Sequence, residues 1–230
     1  ELCVAKYGFS REQQDAFAAE SVRRALAAQQ SGAFDAEIAP VTVSTRKGDA
    51  VIAVDEQPGK CSIEKIPSLR PAFKKDGTIT AASSSSINDG AAALILADAV
   101  LAAEQGLKPI ARIVAQAGAA QAPEWFTTAP VAAIQAVLAK AGWQVADVDL
   151  FEINEAFAAV AMAPIHELGI DPAKVNVNGG ACALGHPIGA SGARILVTLI
   201  HALQAKGLRK GVASLCIGGG EATAVAIVLT

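Results

Sequence analysis

The chain has few aromatic residues (4%), a single methionine and only four cysteines among its 230 residues. The cysteines form no CxxC pair and have no regular spacing: Cys3, Cys61, Cys182 and Cys216. A chain of this size does not depend on disulfides for stability, so we expect free thiols in a reducing cytoplasm. The chain begins with Glu1, and no positively charged segment followed by an apolar stretch opens it. We therefore expect a piece of a longer protein.

Long apolar runs and basic clusters are also missing. The longest apolar stretches, 91–100 and 212–217, fall well short of the roughly 20 residues that cross a bilayer, so we expect no membrane partner. Nineteen basic and 22 acidic residues give a formal net charge of −3, with no basic block, so we expect no nucleic-acid partner. Hydrophobic residues make up 52% of the chain, which is enough to bury a sizeable core.

The first 87 residues contain one clear helix followed by an irregular excursion. Ser10 and Gln13 have the S-x-x-Q spacing of a capping box, which predicts a helix through Gln30. Residues 33–80 contain only short β-branched runs interrupted by prolines. Four consecutive serines, 83–86, then predict a tight loop rather than a linker between domains.

From residue 88 the chain alternates regularly between helical and strand patterns. The predicted helices are Asn88 to Ala103, Thr128 to Gly142, Asn154 to Gly169 and Pro187 to Gly207. The predicted strands are Ile110 to Val114, Val148 to Ile153, Val175 to Val177, Val212 to Ile217 and Thr223 to Leu229. This alternation predicts a layered α/β domain with a largely buried sheet.

His186 is the first candidate for chemistry. Because Pro187 is a natural first residue of a helix, we expect His186 at a helix N-terminus, where the dipole favours a neutral imidazole. Such a ring can accept a proton or donate a hydrogen bond. A capping or core histidine is the alternative, but glycines on both sides would let a substrate approach the backbone.

Two further candidates lie at or just after the end of a buried strand, and a third follows another strand. Cys216 lies just before three glycines, so its thiol could meet a cleft and exchange protons; the alternative, which an isolated cysteine would favour, is an inert buried thiol. The N–H of Gly218 could face a developing oxyanion. Asn154 could hold a water or an acyl oxygen, or only cap a helix. Cys182 lies four residues before His186, but no second Cys/His pair exists, so we expect no metal site.

Three motifs together resemble the C-terminal signatures of thiolases: NEAFA at 154–158, GGACALGHPIGASG at 179–192 and CIGGG at 216–220. The resemblance covers essentially the whole chain, including YGFSREQQDAFA near the start and LRPAFKKDGTITA at 69–81, and is closest to the acetyl-CoA acetyltransferases. It implies a thiolase-like α/β fold, with residues 1–87 belonging to the N-terminal half and loop domain and 88–230 forming the C-terminal thiolase domain.

The resemblance also implies catalytic roles. Thiolases pass an acyl group through a nucleophilic cysteine, and none of the four cysteines here matches that residue. His186 would activate the missing nucleophile, and Asn154 would hold the water that completes the first oxyanion hole. Cys216 would be the acid/base at the α-carbon of acetyl-CoA. The N–H of Gly218 would contribute to the second oxyanion hole.

The same resemblance implies a binding path for coenzyme A. Ser85 would contact the pantetheine arm, and five further residues would line its path: Ala72, Phe73, Ala81, Ala156 and Phe157. The loop at 80–89 departs from the TAGNASGIND-like pattern of the family at Ala82, Ser83, Ser84 and Ser86. The arginine that many thiolases carry near position 58 is absent, so that contact is not carried over.

The resemblance therefore implies an enzyme that reversibly converts two acetyl-CoA molecules into acetoacetyl-CoA and free coenzyme A. Coenzyme A thioesters would be substrates, with no further cofactor. A degradative 3-ketoacyl-CoA thiolase and a non-catalytic coenzyme A-binding fragment remain alternatives. We expect the missing N-terminal half as a partner, a homodimer or homotetramer as the assembly, and no activity from the 230 residues alone.

Overall fold

The computed structural model describes residues 1–230 and begins with two helices, α1 (Leu2–Tyr7) and α2 (Arg11–Ser31). The capping box predicted for α2 is confirmed. Gln13 N donates to Ser10 Oγ at 3.2 Å, and Ser10 N donates to Gln13 Oε1 at 2.8 Å. Both contacts satisfy N–H groups that have no partner within the first turn of a helix. The short helix α1 was not predicted.

The excursion forms a two-stranded antiparallel hairpin, β1 (Val41–Thr45) and β2 (Gly48–Ile52). The first strand is confirmed as predicted, and the second lies about three residues earlier than its apolar run suggested. Nearly all of the hairpin residues are exposed. The 3₁₀ turns Pro58–Lys60 and Ile63–Ser68 follow, and residues 78–80 form no strand.

The predicted helix over residues 88–103 is wrong in its first part. Residues 89–98 have no helix or strand, and α3 comprises only Ala99–Glu104, with Asp98 capping it. Ile95 and Leu96 in this stretch are 98% and 74% exposed. An apolar run without a polar face is stable as a helix only where it is buried on all sides, and nothing in this structure covers it.

The remaining elements alternate along the chain and build a four-stranded mixed sheet. In chain order they are β3 (Ala111–Ala120), α4 (Ala129–Ala141), β4 (Leu150–Ile153), α5 (Ala158–Leu168), α6 (Ala181–Leu184), α7 (Ser191–Lys206), β5 (Lys210–Ile217) and β6 (Glu221–Leu229). Single 3₁₀ turns occur at Pro123–Trp125, Val145–Asp147 and Pro172–Lys174. The strand order is β3-β6-β5-β4; β4 is parallel to β5, and the other pairs are antiparallel.

Helices cover both faces of the sheet, as the sequence predicted for an α/β domain. On one face, Phe151 packs with Ile134 and Val137 of α4 in a core that also includes α5. On the other face, Leu150 packs with Ile195 and Leu199 of α7. Successive side chains of β4 therefore enter opposite cores, which is the period-two alternation of a strand.

Other predicted boundaries also differ from the structure. The strand predicted over Ile110 to Val114 is the longer β3. The strand predicted over Val175 to Val177 is reduced to a single bridge from Val175 to Phe151. The helix predicted from Asn154 begins only at Ala158, because the intervening residues are extended and bonded to the serine loop, with Ser85 N donating to Ala156 O. None of the helices is both long and apolar enough to span a membrane.

Candidate active site

The candidate residues gather where β4 and β5 end. These two strands are parallel, so their carboxyl ends lie side by side, an edge at which α/β proteins place ligands. Asn154 directly follows β4, and its N–H donates to Ser214 O of β5 at 2.9 Å. Cys216 lies two residues further along β5. The sheet therefore brings Asn154 and Cys216 to the same edge, although 62 residues separate them in sequence.

His186 reaches this edge from a turn rather than from the first turn of a helix. The predicted helix start at Pro187 is wrong: α7 begins at Ser191. Pro187 O accepts the N–H groups of Ala190 and Ser191 at 2.8 and 2.9 Å, which closes a turn before the helix. The His186 Nε2 atom lies 3.4 Å from Asn154 Nδ2.

The expected neutral imidazole is supported, but its cause differs from the predicted helix dipole. Burial lowers the pKa of His186, because the charged ring would lose hydration, and the positive charge of Arg194 lowers it further. The ring is half-buried, so it has both a low-dielectric surrounding and access to the surface. An imidazole in this setting is an unprotonated base at neutral pH.

Arg194 also contacts a buried carboxyl group beneath the site. Its Nη1 atom lies 3.6 Å from Glu152 Oε2, and Glu152 is 2% exposed. Burial raises the pKa of Glu152 to about 8, and Arg194 offsets only part of this effect. The other carboxylate oxygen, Glu152 Oε1, has no hydrogen-bond partner.

Cys216 is buried, with 8% of its surface exposed. Burial raises the pKa of its thiol to about 11, so the group is protonated at neutral pH. A protonated thiol is an acid first and becomes a base only after it has lost its proton. Cys216 can therefore exchange protons near neutral pH only if a second base removes the proton from its thiol.

Gly218 lies in the turn between β5 and β6 and is exposed. A methyl group added at its Cα would contact nothing within 4 Å. The backbone at this position is therefore open to an approaching molecule, as the glycine run suggested.

The serine loop ties the segment at 154–158 to the segment that carries His186. Ser85 N and Oγ both donate to Ala156 O, at 3.1 and 3.0 Å. On the other side, His186 N donates to Ser86 O at 2.9 Å. The two segments are thus held in register by backbone hydrogen bonds despite the departures from the family pattern in this loop.

The residues expected along the coenzyme A path lie next to this loop and are partly or fully accessible. Phe73 is 64% exposed and contacts Phe157 edge to face, with ring centroids 5.7 Å apart. Phe126, which sequence reasoning missed, lies 6.5 Å from Phe157 by the same measure. Ala72 and Ala81 are exposed, and Ser85, Ala156 and Phe157 are half-buried.

Sequence reasoning also missed a buried carboxylate behind the site. Glu155 is 1% exposed and accepts hydrogen bonds from Ser21 Oγ at 2.7 Å, Asn176 Nδ2 at 2.7 Å and Cys182 N at 3.0 Å. A methyl group at Gly180 would overlap this carboxyl group. Glu155 thus joins α2 to the glycine-rich segment. In the sequence, only its position next to Asn154 could have indicated this role.

Comparison with known protein families matches nearly the whole chain to one family. The family model "Thiolase, C-terminal domain" matches residues 107–229, and the model "Thiolase, N-terminal domain" matches residues 1–100. The chain belongs to the thiolase family. This confirms the resemblance and the predicted thiolase-like α/β fold, whereas the predicted domain boundary between residues 87 and 88 stays a prediction.

Individual thiolases show how far the similarity extends. The acetyl-CoA acetyltransferase of Allochromatium vinosum is 53% identical over 224 residues, which cover 96% of this chain and 57% of the relative. The acetyl-CoA acetyltransferase structure from Bacillus anthracis superposes with a TM-score of 0.96 at 47% identity, covering 99% of this chain and 58% of that one. The Acat5 thiolase of Ascaris suum, solved with coenzyme A, superposes with a TM-score of 0.88 at 45% identity and the same coverage. The chain thus spans little more than half the length of these relatives.

Proposed function

We propose that the chain forms part of an enzyme that condenses two acetyl-CoA molecules into acetoacetyl-CoA and free coenzyme A, and runs the reverse thiolysis. The observation that carries this proposal is the contact between Asn154 and a half-buried imidazole, His186, at the strand edge that also holds Cys216. Deprotonation beside a thioester needs a base and donors that stabilise the enolate oxygen, and this edge offers both.

The first step is acyl transfer to a nucleophilic cysteine on a segment outside these 230 residues. His186 accepts the proton of that thiol at Nε2 as sulfur attacks the thioester carbonyl. The carbonyl oxygen becomes an oxyanion, and Asn154 holds a water that donates to it. The bond to the coenzyme A sulfur then breaks, and coenzyme A leaves with the proton from His186.

The second step forms the carbon–carbon bond. Cys216, as thiolate, removes an α-proton from a second acetyl-CoA, and the enolate attacks the acyl carbon on the nucleophile. The carbon–sulfur bond to the enzyme breaks, which releases acetoacetyl-CoA and leaves the nucleophile as a thiolate. That thiolate takes the proton that Cys216 has gained, so it is the second base that a thiol of such high pKa requires. In thiolysis Cys216 donates that proton back, and its raised pKa keeps the thiol in the protonated form that can do so. Gly218 N–H stabilises the enolate oxygen.

Coenzyme A lies along the accessible residues beside the serine loop. Support comes from the exposure of Phe73 and its contact with Phe157, which form an apolar surface next to Ser85. The similarity to the Ascaris suum thiolase, which was solved with coenzyme A, also supports this path. Ala72, Ala81 and Ala156 keep it wide, because their side chains are small.

The complete enzyme also requires partners that the chain itself lacks. A further polypeptide segment supplies the nucleophile, and the exposed apolar residues Ile87, Ile95 and Leu96 are suited to burial against it. The assembly is a homodimer or homotetramer that works in the cytoplasm. The chain's match to little more than half of its relatives supports the need for that segment.

The direct test uses the complete polypeptide that contains this chain. Thiolysis of acetoacetyl-CoA is measured beside thiolysis of a long-chain 3-ketoacyl-CoA, and we expect the four-carbon substrate to be strongly preferred. His186→Ala should depress acylation and condensation together, whereas the control His201→Ala, on α7, should keep wild-type rates. Absence of thiolysis would disprove the proposal, and preference for the long chain would favour the degradative alternative.

A further inference from the structure

Ser191 contacts the catalytic-site imidazole on the side away from Asn154. Its Oγ atom lies 2.5 Å from His186 Nδ1 and 3.0 Å from Pro187 O. Ser191 is 1% exposed and is the first residue of α7. The ring of His186 therefore lies between an amide on one side and a hydroxyl on the other, and both ring nitrogens have a partner.

The direction of these hydrogen bonds follows from the groups themselves. Asn154 Nδ2 can only donate, so the Nε2 atom that faces it must be an acceptor. In a neutral ring the hydrogen is then on Nδ1, which donates to Ser191 Oγ. The hydroxyl hydrogen is left to donate to Pro187 O, at 3.0 Å. Ser191 Oγ thus accepts from Nδ1 and donates to Pro187 O.

The local backbone fixes the hydroxyl in this position. Ser191 N and Oγ both donate to Pro187 O, at 2.9 and 3.0 Å, so the side chain is held against the turn that carries the imidazole. A lone pair of Oγ then faces Nδ1. Because the tautomer of a histidine is set by the hydrogen bond that its other nitrogen makes, this serine can decide which nitrogen carries the hydrogen.

We propose that Ser191 is a positioning residue that holds His186 in its Nδ1–H tautomer, with the Nε2 lone pair directed toward the catalytic edge. Its consequence for catalysis rests on the proposed function. When the nucleophilic thiol is deprotonated, the S–H bond breaks and an N–H bond forms at Nε2, which requires that Nε2 carries a lone pair and no hydrogen. Nδ1 keeps its hydrogen throughout and continues to donate to Ser191.

The tautomer can be measured on this chain without any enzymatic assay. Long-range ¹H–¹⁵N correlation spectra of ¹⁵N-histidine-labelled protein separate the two tautomers, and only three histidines are present. At mildly alkaline pH we expect His186 as Nδ1–H in the wild type. Ser191→Ala should move population to Nε2–H, because the Asn154 amide can turn its unpartnered Oδ1 toward the ring and accept that hydrogen. Ser191→Thr, which keeps the hydroxyl, should restore Nδ1–H. Ser214→Ala, another buried serine that donates to a backbone carbonyl, is the matched control.

A wild-type spectrum with His186 as Nε2–H would overturn the proposal, even if the Ser191→Ala variant failed to fold. An unchanged tautomer in folded Ser191→Ala would overturn it as well. In the complete enzyme, Ser191→Ala should slow acylation by at least about tenfold, with the KM for acetyl-CoA nearly unchanged and with rescue by Ser191→Thr. If the tautomer result holds but the wild-type enzyme has no thiolase turnover, the proposed function fails and the positioning role of Ser191 stands.

Discussion

Asn154 Nδ2 lies 3.4 Å from His186 Nε2, and this contact joins segments that follow different elements of the fold. Asn154 is placed by the end of β4, whereas His186 is placed by a turn bonded to the serine loop. The site is therefore set by the relative position of the sheet and that loop. The following predictions concern the groups around this contact.

Cys216→Ser in the complete enzyme should slow carbon–carbon bond formation by about 100-fold or more, while acyl transfer to the nucleophile persists. A hydroxyl is a far weaker acid than a thiol and cannot deliver or accept the α-proton as readily. Rapid-quench measurement of each half-reaction would show the split. Cys61→Ser, at a half-buried cysteine, is the control, and equal losses in both half-reactions would contradict the acid/base role.

The protonation of His186 should have a midpoint below the ordinary histidine value of about 6.5, because burial and Arg194 both lower its pKa. The ring is then neutral throughout the neutral range and gains a proton only as the solution becomes distinctly acidic. We expect acylation to fall with decreasing pH at that midpoint. Titration of the His186 ring protons by NMR gives the value directly, and a midpoint above 6.5 would contradict it.

Gly180→Ala should destabilise the chain by about 2–4 kcal/mol, because its methyl group would overlap the Glu155 carboxyl group and break its buried hydrogen bonds. Gly189→Ala provides the matched control within the same glycine-rich segment, since a methyl group there contacts nothing. Urea unfolding of both variants would measure the difference. Equal stabilities would show that Glu155 does not hold this segment.

Glu152→Gln should become more stable relative to the wild type as pH rises from about 5 to 8. The folded wild type keeps a proton on Glu152 up to about pH 8, whereas the unfolded chain loses it near pH 4.5, so wild-type stability falls across this window. Glutamine carries no such proton. Urea unfolding at both pH values, with the exposed Glu64→Gln as control, should show the trend; the opposite trend would mean that Arg194 keeps Glu152 ionised.

The 230 residues alone should show no thiolase turnover, because none of the four cysteines matches the family's nucleophile. Purified chain is incubated with acetoacetyl-CoA and coenzyme A, and formation of acetyl-CoA is followed. The complete polypeptide is the positive control. Detectable cleavage by the purified chain would mean that one of its own cysteines accepts the acyl group.

Sequence patterns located most elements of the fold because their signals are local. The helices α4, α5 and α7 all end one residue before a glycine, and Gly142, Gly169 and Gly207 each have a positive φ near 65°. Glycine adopts this left-handed conformation without a steric cost, so the end of a helix can be recognised in the sequence. The same holds for the capping box at Ser10.

Two helix starts at the site could not be predicted, for a different reason. Proline at 187 and asparagine at 154 are both residues that commonly begin helices, but α7 and α5 start four residues later. After Asn154, hydrogen bonds from the serine loop, about 70 residues away in sequence, hold the chain extended. Local propensity is weak compared with such contacts.

The sequence alone determined the family and the residues of the proposed site, because its three motifs are short and contiguous and their residue types are chemically distinctive. Only the tertiary structure decided which groups surround them. The contact of Ser191 with the His186 ring, the charge of Arg194 beside that ring and the burial that raises the pKa of Cys216 depend on packing between distant segments. Hydration is lost only when the whole sheet and its helices assemble, so the strength of these acids and bases is a property of the fold.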